Sequence, residues 1–342
     1  MSSSELSDRQ QAVLRLVVQH YIHTATPVSS KIITEDFRLG VSPATVRHEM
    51  AVLEELAYLT QPHTSAGRIP TETGYRYFVE KLMENVDLPV EEQRMISHQF
   101  HQARLDLDQW LRLSAAVLAH TAGNASLVTA PKSACCHLKH LELVSLRDRS
   151  ALLILVFQEG AVKQQIVTFD RPAGQDELGP LARQLTELWQ GFDVDRLAVA
   201  PEPLSEIGDT VRSMIVETMR RLDGRRSSDI YRDGLLNVFV QPEFQQSDSS
   251  RQIIRALEER RFVEQMVDEA LQHSGVQVII GGEGKWQELS DVGIVLTRYG
   301  AGDDILGAMG VLGPIRMPYE RTVSVVRYMA QLMSDFVNDL YI

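Results

Sequence analysis

Several clusters in this chain carry side chains capable of chemistry. Gly281-Gly-Glu-Gly-Lys285 has the composition of a phosphate loop, but only two residues part Gly281 from Gly284, and Trp286 follows the lysine where a P-loop needs Ser or Thr. Those glycines are expected to serve a turn. Cys135 and Cys136, with His137 and His140, offer metal-binding atom types. Adjacent cysteines rarely both reach one tetrahedral ion, so partly buried, unmetallated residues are expected. Asp303-Asp304 beside Gly302 is read as a solvated turn. No G-x-S-x-G or H-E-x-x-H run occurs, so neither catalysis nor a cofactor is expected.

The more informative cluster is N-terminal. Ser42, Ala44, Thr45, Arg47 and His48 stand at the start of one helical run, followed by His63, Thr64, Ser65, Gly67 and Arg68, and then by Arg76. Hydroxyls, an imidazole and guanidinium groups around small residues are what base edges and phosphates require. Composition gives no help: the chain carries 34 Lys and Arg against 46 Asp and Glu, a net charge of -12. The first 80 residues are not basic either, so a nucleic-acid reading rests on pattern.

The elements that would position these residues are legible. Ser7 with Gln10 makes a capping box, and Val13, Leu14, Val17, Val18, Tyr21 and Ile22 follow helical periodicity up to Pro27. A short helix is expected from about Ser29 to Asp36, then a tight connection through Gly40. Ser42 is an N-cap with Pro43 at the first helical position. On the helix beginning there, Val46, Met50, Leu53 and Ala57 share the core face, and Ala44 and His48 point away. Tyr58 to Gln61 reads as a short strand, His63 to Arg68 as a turn and Ile69 as the return. Thr71 caps a further helix that buries Tyr75, Phe78, Val79 and Leu82. Two helices and a turn followed by a wing describe a winged helix-turn-helix. A three-helix packing unit without nucleic acid remains the alternative.

Residues 86–105 read as a polar connector, helical in part, and 108–120 as a helix. Antiparallel strands are expected at 138–146, 151–157 and 164–169, helices at 180–189 and 203–221, and a break at Leu222 to Ser228. Beyond it come a helix at 251–271, strands at 276–280, 292–297 and 308–312, and a final helix from Val323 with Val326, Ala330, Met333 and Val337 on its face. The class is α+β, in more than one domain, as 342 residues suggest. No run approaches the roughly 20 apolar residues of a membrane helix, and the opening MSSSELSDRQ lacks the features of a signal peptide, so no membrane association and a cytoplasmic location are expected.

Pro27-Val-Ser-Ser-Lys31, Val41-Ser-Pro-Ala-Thr-Val-Arg-His-Glu-Met50, Leu53-Glu-Glu55, Pro62-His-Thr-Ser-Ala-Gly-Arg-Ile-Pro-Thr71 and Gly74-Tyr-Arg76 resemble the bacterial heat-inducible transcription repressor HrcA. The likeness continues through Tyr231, Gly234-Leu-Leu-Asn237, Gln241-Pro-Glu-Phe244, Ile280-Gly-Gly-Glu283 and Gly310 to Met317 with Tyr319. This chain has His48 where the family usually has Asn, and Pro318 where it usually has Asp. The resemblance implies a winged helix-turn-helix at 1–85, a linker at 86–105, a GAF-like domain at 106–171 and 229–342, and an inserted dimerising segment at 172–228. It implies a homodimer that binds the double-stranded CIRCE inverted repeat, a GroEL-type chaperonin as partner, and association with the nucleoid when bound to DNA. It adds Ser29, Ser30 and Lys31 to the DNA-contacting set. The competing reading is a metabolite-responsive regulator whose GAF-like domain senses a small ligand, with Glu283, Arg316 and Tyr319 as polar candidates.

Overall fold

A computed structural model of the chain describes residues 6–37, 40–63, 66–103, 106–133, 136–158, 160–200, 205–223, 230–245, 254, 257–284, 286, 289–302 and 305–341. The expected contacts Thr64 and Ser65, the pair Asp303-Asp304, Cys135, Lys285, and most of the break after Leu222 lie outside the described residues. Two compact units emerge. One comprises residues 1–131, 229–301 and 307–342; the other comprises 132–228 and 302–306.

The first unit opens with α1 (Asp8–Thr24). Both halves of its capping box form, Gln10 N–H donating to Ser7 Oγ and Ser7 N–H to Gln10 Oε1. Val13, Leu14, Val17, Val18 and Ile22 are buried, and Ala25 closes the helix in the left-handed region. α2 (Ser30–Phe37) and α3 (Pro43–Glu55) follow. Thr45 N–H donates to Ser42 Oγ at 3.2 Å, and Val46, Met50 and Leu53 are buried. Ala57, expected on that buried stripe, is not on it. The helix stops at Glu55, and Ala57 sits exposed at φ 62° in the turn into β1 (Leu59–Thr60). β1 pairs antiparallel with β2 (Ile69–Pro70). α4 (Glu72–Tyr77), capped by Thr71, runs into a π-helical turn at Phe78–Leu82. The expected connector is largely helical, as α5 (Val90–Gln102), because Ile96 and Phe100 find a core to enter. Next come α6 (Leu107–Ala122) and β3 (Ala125–Thr129).

The second unit holds β4 (Lys132–Ser133), β5 (Leu138–Arg147), β6 (Ser150–Phe157) and β7 (Val162–Thr168), then α7 (Gln175–Trp189), α8 (Val194–Ala198) and α9 (Glu206–Asp223). β5, β6 and β7 form a consecutive antiparallel sheet. Its inward residues Leu141, Leu143, Leu153, Leu155 and Val167 share one core with Leu178, Leu185, Trp189, Val211, Ile215 and Met219 of the helices. The family resemblance placed this meander in the GAF-like part before position 172. The division between compact units falls instead at Lys132, because an amphipathic three-stranded sheet needs a cover and α7 and α9 supply it. α7 also starts five residues before the expected Pro180, which the helix accommodates.

The chain then returns to the first unit with β8 (Ile230–Asp233), α10 (Leu235–Phe239), a 3-10 turn at Pro242–Gln245, α11 (Arg260–Gln272), β9 (Gln277–Ile280), β10 (Val292–Ala301), β11 (Ile305–Pro314) and α12 (Tyr319–Tyr341). Its sheet runs β8-β3-β11-β10-β9. Strand alternation sends Leu127, Ile294, Leu296 and Leu312 to one face, against Val263, Met266 and Ala270 of α11. α6 and α12 hold the other face: Ser126 Oγ donates to the Ala115 carbonyl at 2.7 Å, and Gly300 N–H to Ser334 Oγ at 3.0 Å. Val323, Val326, Met333 and Val337 of α12 are buried, as periodicity predicts. Mixed helix and sheet of this kind is α+β. Among the described residues no helix is long and apolar enough to cross a membrane.

Candidate nucleic-acid interface

α3 is fixed from below and open above. Its three buried apolar residues sit in the packing against α1 and α2, so the opposite side of its first two turns faces outward. Ser42, Ala44, Arg47 and His48 are exposed there, and Thr45 is half-buried. The Ser42 and Thr45 hydroxyls lie 2.9 Å apart and satisfy one another, which leaves Arg47 and His48 as the exposed polar side chains of the first two turns. Ser29 caps α2, accepting from Ile32 N–H at 3.3 Å. Ser30 is buried, and Lys31 is exposed with Glu35 at 3.7 Å. Of that trio only Lys31 presents its head group to solvent.

The wing is tied to the helices rather than free. Val28 and Arg68 exchange both backbone hydrogen bonds at 2.9 Å. Arg68 Nε donates to Glu54 Oε2 of α3 at 2.8 Å, so the cation expected to touch phosphate also clamps the wing to the helix. His63, at the turn, is exposed. Gly67 is required for a reason other than turn geometry. A Cβ there would lie 2.5 Å from both the carbonyl carbon and oxygen of Val28. Backbone at that distance cannot yield as a flexible side chain would. Gly67→Ala is therefore expected to cost about 1–3 kcal/mol by overpacking. Gly174→Ala, with nothing within 4 Å of its added methyl group, is the matched control. Urea titrations of both variants check this; equal stabilities would remove the close-approach argument.

Arg76, expected at the DNA backbone, is taken up elsewhere. Its Nε donates to Glu283 Oε1 at 2.8 Å, and its Nη2 donates to Glu283 Oε2 and to the Val278 carbonyl, the latter at 2.8 Å. The Glu283 hydrogen bond holds the guanidinium above even its usual range. Glu283 also accepts from Ile280 N–H at 3.0 Å, so its carboxylate is shared between strand and head. The glycine-rich turn is a turn, with Gly281 and Gly284 both at positive φ. A Cβ at Gly281 would sit 2.7 Å from the carboxylate of Glu72, an exposed side chain at the start of α4 that can swing aside.

The other two residues offered as sensor candidates are committed as well. Arg316 donates to both carboxylate oxygens of Glu243, to Gln241 Oε1 at 2.8 Å, and to the Ile22 carbonyl at the end of α1 at 3.0 Å. Tyr319 is buried, donates to the Ile315 carbonyl at 2.6 Å, and lies 6.1 Å from the Tyr75 ring. Burial pushes the Tyr319 phenol well up, so it stays protonated. Glu283, Arg316 and Tyr319 therefore join the N-terminal helices to the sheet domain. Sequence reasoning missed this role, because the partners lie hundreds of positions apart and leave no spacing signature. His137 and His140 belong to the second unit, and among the described residues no group of three or more His, Cys, Asp or Glu is placed to hold a metal ion.

Comparison with known proteins supports the same assignment as the motifs. The family model for the HrcA protein C terminal domain matches residues 108–323. The heat-inducible transcription repressor HrcA of Roseiflexus castenholzii is 45% identical over 347 residues, covering 99% of this chain and 96% of that protein. That of Herpetosiphon aurantiacus is 45% identical over 344 residues, covering 98% and 97%. A crystal structure of a hypothetical protein, 24% identical, covers 98% of both chains with a TM-score of 0.59, which shows a shared fold. These names describe transcription repressors, not enzymes, and this chain belongs to the HrcA family of heat-inducible transcription repressors.

Proposed function

We propose that this repressor binds double-stranded DNA as a homodimer, through a winged helix-turn-helix formed by residues 1–85. The observation that carries the reading is the outward face of α3, where Arg47 and His48 project beside Ala44 with a tethered wing next to them. Ala44 lets the helix approach a groove, Arg47 and His48 meet base edges or phosphates, and Lys31, His63 and Arg68 flank them. Thr64 and Ser65 join the proposed contact set from the sequence. Arg76 is left out of the contact set, since its Nε and Nη2 are directed to Glu283 and Val278.

The operator comes from family membership: the CIRCE inverted repeat, which a two-fold symmetric dimer reads with one head per half-site. Dimerisation is assigned to the second compact unit, extended back to Lys132 from the 172 boundary. The outer face of its sheet is mostly apolar and exposed in the single chain, interrupted by Glu142 and Gln164 on either side of Ile154. Val144, Leu146, Val162 and Ile166 are 38%, 49%, 53% and 64% exposed, and Val144, Leu152 and Ile166 form one row across the three strands. Contiguous exposed apolar surface of that kind marks an association site. The sheet with α6, α11 and α12 takes the part of the GAF-like domain. A GroEL-type chaperonin fits as partner, because a long chain with such a face passes through aggregation-prone intermediates. When damaged protein occupies the chaperonin, folded repressor falls and chaperone genes are expressed from cytoplasmic, nucleoid-bound operators.

The test is a gel-shift titration against the CIRCE repeat and a scrambled duplex of equal length, with His48→Ala run beside the parent. The parent is expected to prefer the repeat by at least about 10³. The His48 variant is expected to lose about 1–3 kcal/mol of discrimination at one base pair per half-site. Equal affinity of the parent for both duplexes would reject the operator. An unchanged base profile in the variant would reject His48 as a reader.

A further inference from the structure

We infer that Arg76 and Glu283 are positioning residues for DNA recognition: they lock α4 onto the turn after β9, so that the sheet domain sets the direction in which α3 points. This rests on the repressor reading above. The pair brings three donors of one guanidinium onto two carboxylate oxygens and a strand carbonyl, a forked geometry that fixes direction as well as distance. The acceptor is itself held: Glu283 takes the Ile280 amide, and the positive φ of Gly281 and Gly284 shapes the turn around it. α4 is thereby held to the β9 turn through Arg76, with the Glu72 side chain beside Gly281.

Arg316 and Tyr319 also hold α1 and α4 to the sheet domain, and the seat adds a directional contact just before a short stretch that is lightly held. Residues 84–87 are exposed, and the chain there reaches the sheet domain chiefly by Val86 O accepting from Ser324 Oγ and Asn85 Oδ1 accepting from Arg327 Nη2 at 3.1 Å. A tether of that kind limits how far the head can move but not how it is turned. An inverted repeat is read by two helices at a fixed separation and phase. A head free to rotate lowers the effective concentration of its partner at the second half-site. Seven Lys and Arg against nine acids in residues 1–80 leave little nonspecific attraction to compensate. A locked head supplies the missing order before DNA arrives.

The lock and a phosphate contact predict opposite behaviour at Glu283. Were Arg76 a phosphate ligand, Glu283→Ala would release it and strengthen binding, and Arg76→Lys would keep most of the affinity. For a lock, Glu283→Ala, Arg76→Met and Arg76→Lys should behave alike, since lysine keeps the charge but cannot make the fork. The full-length chain and these three variants are titrated against the repeat with its native spacing and with about 5 bp, half a helical turn, inserted between half-sites. The parent should prefer native spacing by at least about tenfold, and the variants by less than about threefold, with discrimination against scrambled half-sites retained. Amide hydrogen exchange is followed in the same proteins without DNA. It should rise in residues 278–284 and 84–89 of the variants while α3 is unchanged, which also shows that the head remains folded.

If Glu283→Ala binds as tightly as the parent and keeps the spacing preference, the lock is wrong. If Arg76→Met alone weakens binding and lowers the salt slope by about one, Arg76 is a phosphate ligand and the inference is overturned. If the parent ignores the operator, the repressor reading fails, and exchange still decides the lock: unchanged protection in 278–284 and 84–89 overturns it.

Discussion

A chain carrying Val144→Asp and Ile166→Asp is expected to be monomeric and to bind the inverted repeat at least about tenfold more weakly than the parent. Both positions lie on the uncovered face of the β5–β7 sheet, across Leu152 from one another, and point away from the core that α7 and α9 close. In the monomer, exposed aspartates there cost little, since surface substitutions away from special features usually stay within about 0.5 kcal/mol. In a dimer, two carboxylates from each chain would be desolvated without partners, at several kcal/mol per ion. Assembly should therefore fail while folding survives. Mass by light scattering, melting temperature and operator affinity together test it. A dimer with parental affinity would move the interface to another surface. A monomer with parental affinity would show that one head is enough.

The second large effect is on stability. Arg316→Met is expected to destabilise the chain by about 3 kcal/mol, lowering the melting midpoint by roughly 6–12 °C. The guanidinium is 10% exposed and closes four acceptors at once, on Glu243, Gln241 and Ile22. Methionine fills part of the volume but leaves the Glu243 carboxylate without its counter-ion and the end of α1 without a donor at its last turn, where a cation also meets the helix dipole. A companion Glu243→Gln, which keeps an acceptor and removes the charge, should cost less than Arg316→Met. Differential scanning fluorimetry followed by urea unfolding separates the two. Equal, small shifts for both would mean that Arg316 is not what joins α1 to the sheet domain.

The features legible in the sequence have a common character. The Ser7–Gln10 box, the Ser42 cap with Pro43 behind it, the Thr71 cap and the buried face of α12 each depend on residues within about four positions of one another, or on a repeating period. The wing phrase and the C-terminal motifs were enough to place the family. Ala57 failed because periodicity does not say where a helix stops, and the turn after Glu55 came first. The connector is helical over more of its length than its polar text suggests, because Ile96 and Phe100 meet a core that composition does not reveal.

By itself, then, the sequence determined the helices and caps of the head, the α+β class and membership in a repressor family. Only the tertiary structure decided what the charged residues of that head do. Arg76 and Glu283 stand 207 positions apart, and Arg316 and Ile22 stand 294 apart. A single chain records no pattern over such distances, because no local geometry links the partners until the sheet has formed. The same holds for Gly67, whose neighbour Val28 is fixed by a bridge between separate segments, and for the sheet of the second unit, which joined α7 and α9 because its apolar face had to be covered.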